Sequence, residues 1–280
     1  DLVVVGEWMA VSLFQNTRGT LVYVSAQAGL SKTNGWWNCV LVDDVNGDGY
    51  VDFVAGNWGG NTEIKASAEE PASLYAADFD SNGVFDPILC YYKQGKSYPL
   101  PLRSDMMEQL PRLKNKFPTH ASYAGKQITE LFPPERLREV EVKYAYTFAS
   151  TIFYGGKEGA FRAHALPFAA QLAPVFAILC EDFDNDGAKD LLLAGNFFGL
   201  NPQLGRYDAS YGVLLQRTAT FKSRDAVADD FIAASRRASG LHLTGEVRDA
   251  IALKSRAHGE AFVFATNNDR PQVYARRNRL

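Results

Sequence analysis

The residues with the clearest chemistry lie in three short acidic segments. They read DVNGDGYVD at 44–52, DFDSNGVFD at 78–86 and DFDNDGAKD at 182–190. Carboxylates this close together repel one another unless solvent or a cation lies between them. Because the three segments share one internal spacing, they form a sequence repeat and predict a repeated structural unit.

The acidic segments share one order of residue types. Oxygen-bearing side chains stand at positions one, three, five and nine, glycine stands at position six, and position seven offers a backbone carbonyl. The glycine permits the positive φ that turns the loop back on itself. Calcium accepts about six to eight oxygen ligands, which suits this donor set. The sequence therefore predicts one Ca2+ per loop, with these ligands: Asp44, Asn46, Asp48, Tyr50 and Asp52; Asp78, Asp80, Asn82, Val84 and Asp86; Asp182, Asp184, Asp186, Ala188 and Asp190.

The number of carboxylates differs between the loops. The loop at 182–190 has four aspartates, whereas those at 44–52 and 78–86 have three each. Ligand charge tunes calcium affinity, so the sequence predicts the tightest site at 182–190. A structural ion is favoured over one that contacts a ligand or substrate, because each loop carries its own set of oxygen donors.

The EF-hand is the main alternative, because its loop also begins with this pattern. An EF-hand needs a bidentate glutamate at position twelve and a helix on each side. Position twelve here is Ala55, Leu89 or Leu193. The runs DFVAGN at 52–57 and DLLLAGN at 190–196 are short, apolar and ended by Gly-Asn, which indicates buried strands. The pattern therefore excludes an EF-hand.

The acidic segments alternate with apolar strand patterns. The chain begins DLVVVG, which is similar to DLLLAG at 190–195. Asp1 is therefore predicted to be the ninth position of a fourth loop, in a fragment of a longer protein. Segments 11–25, 150–164 and 212–223 each predict a hairpin. Loop, strand, hairpin and strand together describe one blade of a β-propeller. The predicted fold is all-β: a partial propeller over 1–280, of about four blade-like repeats that need not close into a ring.

A helical insertion is predicted at 104–140, within the long gap between the second and third loops. Met107, Leu110, Leu113 and Phe117 recur at helical spacing, although Pro111 interrupts them. Pro133-Pro134 can open a further helix. The sequence therefore predicts a small helical excursion within an otherwise β-stranded chain.

The acidic loops resemble FG-GAP/VCBS repeats, which also occur in the integrin α-subunit propeller. Ala173-Pro174 before the third loop is similar to the Gly-Ala-Pro of that motif. GEWMAVSLFQN, GWWN, RYDASYG and LTGEVRD resemble bacterial relatives of the cartilage acidic protein (ASPIC/UnbV) family. This resemblance implies a calcium-binding propeller that acts as a binding or adhesion module. Its expected location is extracellular, at the cell surface or periplasmic, where calcium keeps such loops occupied.

Five aromatic residues lie beside Gly and Asn, where chain reversals are expected. Flat rings with amide neighbours can stack on a glycan or on a protein partner. Large aromatics more often fill the space between blades, and that interpretation is favoured. The five candidate ligand-binding residues are Trp36, Trp37, Trp58, Tyr207 and Tyr211.

Composition narrows the remaining classes of function. The net charge is −3, so a dedicated nucleic-acid binder is not expected. The basic residues Arg236-Arg237 and those of 276–279 are explained by a solvated terminus. No run is long and apolar enough to span a membrane. Two alternatives stay open: a polysaccharide hydrolase or lyase on the propeller face, and a scaffold domain that contacts further blades or domains of a larger protein.

Overall fold

The computed structural model describes residues 1–217, 231–255 and 259–276. Part of the predicted hairpin at 212–223 and most of the basic segment 276–279 lie outside these ranges. The described chain is mostly antiparallel β-strand, which confirms the all-β prediction. Among the described residues, no helix has the length and apolar character needed to cross a membrane.

The chain divides into two compact units. Unit one comprises Asp1–Ser31, Trp36–Glu63 and Phe148–Leu280. Unit two comprises Lys32–Gly35 and Ile64–Thr147. Unit two therefore interrupts unit one in sequence, which explains the long and uneven spacing between the acidic loops.

Unit one contains four described sheets of three or four antiparallel strands, together with the short strand β2 (Glu7–Met9). The two-residue strand β5 (Gly35–Trp36) spans the sequence boundary between the units. The strand orders are β1-β3-β4, β13-β12-β7-β6, β14-β15-β16-β17 and β18-β19-β20. Their bounds are β1 Leu2–Val4, β3 Ser12–Thr17, β4 Thr20–Tyr23, β6 Cys39–Asp43, β7 Asp52–Gly56, β12 Thr151–Tyr154, β13 Arg162–Ala165, β14 Val175–Glu181, β15 Asp190–Gly195, β16 Val213–Arg217, β17 Phe231–Ala233, β18 Val247–Ser255, β19 Gly259–Thr266 and β20 Gln272–Ala275. Short helical turns lie at Phe168–Gln171, Pro202–Leu204 and α6 (Arg236–Ser239).

Strands β7 and β15 are buried along their whole length, as their continuous apolar sequences predict. In β15, Leu191 and Leu193 pack into one core cluster, whereas Leu192 and Ala194 pack into another. Successive side chains of a strand point to opposite faces, so a strand covered on both faces must be apolar throughout. Burial therefore accounts for the apolar residues that follow the loops at 44–52 and 182–190.

Unit two has one four-stranded sheet, with strand order β10-β9-β8-β11, and five described short helices. The strands are β8 (Ala72–Ala77), β9 (Asp86–Lys93), β10 (Lys96–Pro99) and β11 (Glu141–Ala145). The helices are α1 (Arg103–Gln109), α2 (Leu113–Lys116), α3 (His120–Tyr123), α4 (Ile128–Leu131) and α5 (Pro134–Arg138).

The helices of unit two pack against its sheet through one apolar cluster. Met106, Met107 and Leu110 contribute from the first helical segment and its end, and Ile88 and Cys90 contribute from β9. Proline sets the helix boundaries. Pro111 separates α1 from α2, and Pro134 opens α5, because proline fits the first turn of a helix but not its interior.

We predict that Gly195→Ala destabilises unit one. A Cβ at this position would lie 1.7 Å from the Pro174 carbonyl oxygen, so the backbone would have to move. Overpacking of this kind costs about 1–3 kcal/mol or more. Gly60→Ala is the matched control, because its Cβ would lie at an ordinary 3.7 Å from the Gln171 Cβ. Urea unfolding measures both variants, and equal unfolding free energies would contradict the close approach.

Candidate metal centres

Each acidic loop joins two neighbouring antiparallel strands: β6 and β7, β8 and β9, or β14 and β15. The strand registers are equivalent. The residue before position one pairs with position nine, as Asp43 with Asp52, Ala77 with Asp86 and Glu181 with Asp190. Strands, and not the helices of an EF-hand, therefore flank all three loops.

The aspartate at position one holds the turn of each loop. One carboxylate oxygen accepts a hydrogen bond from the N–H of position five, at 3.1, 2.9 and 3.1 Å in sequence order. The other accepts from the glycine N–H at position six, at 2.9, 2.8 and 3.0 Å. Two acceptor oxygens on a short side chain are needed for this geometry, which explains why Asp44, Asp78 and Asp182 are all aspartate.

The aspartate at position nine fastens each loop to its sheet. Its Oδ2 accepts from the N–H of position two at 3.0 Å in all three loops. The other oxygen of Asp52 accepts from the Gly155 N–H at 2.9 Å, and that of Asp190 from the Arg217 N–H at 2.8 Å. These aspartates are buried, because they open the interior strands β7, β9 and β15.

Burial makes two of these carboxylates costly to ionise. Loss of solvation raises the pKa of Asp52 to about 6, despite hydrogen bonds from backbone N–H groups that lower it. Loss of solvation raises the pKa of Asp190 to about 6 as well, and the charges of Asp184 and Asp186 raise it further. Without a positive counter-charge, the ionised loops are therefore electrostatically unfavourable.

Carboxylates at positions one, three and nine converge in two of the loops. Their oxygen atoms lie within 4.8 Å of one another, an arrangement that can hold a metal ion. The two groups, among the described residues, are Asp78, Asp80 and Asp86, and Asp182, Asp184 and Asp190. The loop at 44–52 has no third carboxylate of this kind, because Asn46 occupies position three.

Positions five and seven of the loops contact each other. The side-chain oxygen of position five accepts from the N–H of position seven, at 2.9 Å for Asp48 and Tyr50. The same bond measures 2.8 Å between Asn82 and Val84, and 2.8 Å between Asp186 and Ala188. Asp186 is not a member of the converging carboxylate group at 182–190.

Asp80 carries a buried oxygen that no hydrogen-bond donor contacts in the described part of the chain. Its Oδ1 atom is buried and has no hydrogen-bond partner among the described residues. A buried carboxylate oxygen without a donor loses its solvation with no compensation. Because Asp80 belongs to a converging group with Asp78 and Asp86, a metal ion fits this donor set.

Position four of each loop has a left-handed backbone, which the sequence analysis did not identify. The φ angles are 73° at Gly47, 62° at Ser81 and 63° at Asn185. The glycine at position six is also left-handed, with φ near 88° or 89° in all three loops. Gly and Asn at position four are the available sequence signal, since they tolerate this conformation best.

An arginine distant in sequence donates to the backbone near the start of each loop. The Arg217 guanidinium donates to the Asn46 carbonyl at 3.0 Å. The Arg276 guanidinium donates to the Asp182 carbonyl at 2.5 Å. Within unit two, Arg136 donates to the Asp78 carbonyl. The spacing of the loops gives no indication of these partners, because they come from elements that follow much later in the chain.

Asp1 accepts one hydrogen bond that is equivalent to a bond accepted by Asp52 and by Asp190. Its Oδ1 accepts from the Asn16 N–H at 2.7 Å. The pairing of Leu2 with Phe14 places Asn16 where Arg217 stands relative to Asp190. Asp1 is exposed, however, whereas the aspartates at position nine of the three loops are buried.

Three of the five aromatic candidates form one buried contact group. Trp36 and Trp58 meet edge to face, with ring centroids 5.3 Å apart. Trp58 meets Tyr207 in the same way at 5.1 Å. All three are buried, as expected for rings that fill space between sheets.

The other two aromatic candidates lie apart from this group. Trp37 is buried and packs on Phe153, with ring centroids 5.9 Å apart. Tyr211 is 42% exposed and stacks on His242, and the Arg236 guanidinium lies 4.5 Å from its ring centroid. Of the five candidates, Tyr211 alone is exposed. The five rings therefore do not form one continuous binding face.

The chain matches no known protein-family model and no curated protein. The FG-GAP/VCBS resemblance consequently rests on the motifs themselves.

We predict that Asp190→Ala destabilises the protein more than Asp186→Ala when both are measured in chelator. The first variant removes the acceptor of two N–H groups, those of Phe183 and Arg217. Each buried donor left unsatisfied costs about 1–3 kcal/mol. Asp186 is exposed, so its loss should cost about 1 kcal/mol or less. Similar urea midpoints for the two variants would contradict the anchoring role of position nine.

Proposed function

We propose that the three acidic loops bind Ca2+ and that the protein is a calcium-stabilised binding module. The convergence of carboxylates at positions one, three and nine in the loops at 78–86 and 182–190 carries this proposal. The loop at 44–52 is included because it has the same strand register and the same turn hydrogen bonds. The unpartnered, buried Oδ1 of Asp80 supports it, because a cation would compensate the lost solvation of that oxygen.

The donor chemistry favours calcium among common metal ions. The converging groups contain carboxylate oxygens and neither histidine nor cysteine, which structural zinc sites usually use. Magnesium demands near-ideal octahedral geometry and retains several waters, whereas calcium accepts variable numbers of oxygen ligands. Loops that join strands and offer several carboxylates suit the calcium ion.

A structural role for the ion follows from the position of the loops. Each loop connects two paired strands, and position nine is already part of the buried second strand. An ion bound to positions one, three and nine would link both ends of the loop. It would also neutralise carboxylates that burial makes costly to ionise.

Two sheets of unit one support a β-propeller as the architecture. In the order β6-β7-β12-β13 and in the order β14-β15-β16-β17, the acidic loop lies between the first and second strands. A third and fourth strand then complete each sheet. Four-stranded antiparallel sheets of one repeated plan are the blades of propellers.

A binding or adhesion role in a calcium-rich compartment is the function that fits these features. Sites of modest affinity stay occupied where calcium is plentiful, as outside the cell or in the cell envelope. Tyr211 with its neighbour Arg236 offers an exposed ring and a cation beside it. Such a pair suits a protein or glycan partner.

We predict that Ca2+ raises the unfolding temperature and that chelator reverses the shift. A site that binds only the folded state contributes about 2.7 kcal/mol at a ligand concentration one hundred times its Kd. Scanning calorimetry in calcium, in magnesium and in chelator measures the effect. Asp80→Ala and Asp184→Ala should each reduce the calcium shift. An unfolding temperature that is the same in calcium and in chelator would refute the proposed function.

We predict that the loop at 182–190 binds calcium most tightly, because it has the most carboxylates. Asp186→Ala and Asp48→Ala are matched changes at position five of two loops. Titration calorimetry should show the larger loss of affinity for Asp186→Ala. A larger loss for Asp48→Ala would mean that the number of carboxylates does not set the order of affinity.

A further inference from the structure

Arg217 contacts two acidic loops at once. It ends strand β16 and is buried, with 6% of its surface exposed. Its backbone N–H donates to Asp190, position nine of the loop at 182–190, at 2.8 Å. Its guanidinium donates to the carbonyl of Asn46, position three of the loop at 44–52, at 3.0 Å. One residue therefore bridges two candidate metal centres of unit one.

The residue before Arg217 reinforces the contact with the loop at 182–190. Gln216 Nε2 donates to Asp184 Oδ2 at 2.8 Å, and Asp184 is position three of that loop. The end of β16 thus contacts two of the three carboxylates that converge there. Asp184 and Asp190 are therefore both hydrogen-bonded to the segment that carries the Arg217 side chain.

The peptide that Arg217 holds in the loop at 44–52 is also tied to position nine of that loop. The Val45 and Asn46 N–H groups donate to Asp52 Oδ2 at 3.0 and 3.3 Å. The same segment is therefore held by a carboxylate at its N–H groups and by a guanidinium at a carbonyl. Arg217 therefore contacts the segment that holds the predicted ligands Asn46 and Asp52 together.

A second bridge joins the same two loops. Lys189, position eight of the loop at 182–190, forms an ion pair with Asp43 at 2.6 Å. The same Asp43 oxygen accepts from the N–H of Asp44, position one of the other loop, at 2.9 Å. The two loops are therefore linked both through Arg217 and through Lys189.

We infer that calcium binding at 182–190 and at 44–52 is positively coupled, with Arg217 as the positioning residue. This inference rests on the proposed calcium binding. An ion at one loop fixes its aspartates, and through Arg217 it orders the other loop before an ion arrives there. Binding of the second ion then has a smaller entropic cost, because its loop is already ordered, and this is a source of positive cooperativity. Coupling between sites is reciprocal and is typically about 5–150-fold in affinity.

Titration calorimetry with Ca2+ tests the coupling in an Asp80→Ala parent. This substitution weakens the site at 78–86, so that the measured binding comes from the two loops of unit one. Adding Asp48→Ala should weaken binding at 182–190 at least about fivefold, and adding Asp186→Ala should weaken binding at 44–52 by the same factor. In a protein that also carries Arg217→Lys and Lys189→Gln, both loops should still bind Ca2+. Disabling one loop should then change the affinity of the other by a factor close to one. Arg217→Lys keeps the charge and the backbone N–H but loses the planar guanidinium.

The outcomes separate this inference from the proposed function. Absence of calcium binding in the Asp80→Ala parent would refute the proposed function itself. If the parent binds calcium but disabling one loop leaves the affinity of the other unchanged, the coupling alone would be refuted. If disabling one loop weakens the other as strongly in the Arg217→Lys, Lys189→Gln variant as in the parent, the role of the two bridges would be refuted. Arg136→Lys is the matched control, because Arg136 holds the loop at 78–86 in unit two and should leave both factors unchanged.

Discussion

A buried carboxylate at the ninth position of each acidic loop is the constraint on which this structure depends. It opens an interior strand, where solvent cannot stabilise its charge, and it accepts hydrogen bonds from the start of its own loop. At Asp52 and Asp190 it also accepts from the chain at or just beyond the end of the next strand. Loop, interior strand and neighbouring strand are thus joined at one charged group, which needs both donors and positive charge around it.

The arginines and the proposed calcium would each bring positive charge to the loops, but at different positions. Arg217 and Arg276 donate to backbone carbonyls near the loop start and bring positive charge without taking a metal-ligand position. The proposed calcium would lie among the carboxylates themselves. The loops at 44–52 and 182–190 share the bridging residues Arg217 and Lys189, which is the basis for the proposed coupling between them.

Local residue spacing in the sequence predicted individual strands and helix boundaries, whereas contacts between residues far apart in the chain could not be predicted. Alternation of acidic turns with short apolar runs correctly indicated β7 and β15, and Pro111 and Pro134 indicated the helix boundaries. The partners Arg217, Arg136 and Arg276 come from elements far along the chain, so no local pattern could reveal them. The sequence also did not indicate the division into two units. That division depends on the pairing of β7 with β12, two strands that lie far apart in the chain. Burial of Trp36 and Trp58 agrees with the favoured interpretation of these aromatic residues.

Native mass spectrometry of the chain in calcium tests the central claim most directly, because it counts bound ions. The account predicts three ions per chain, one for each complete acidic loop. A variant with Asp44, Asp78 and Asp182 all changed to alanine corrects for non-specific adducts. Three ions more than this variant would agree with the account, and equal ion counts for the two proteins would contradict it.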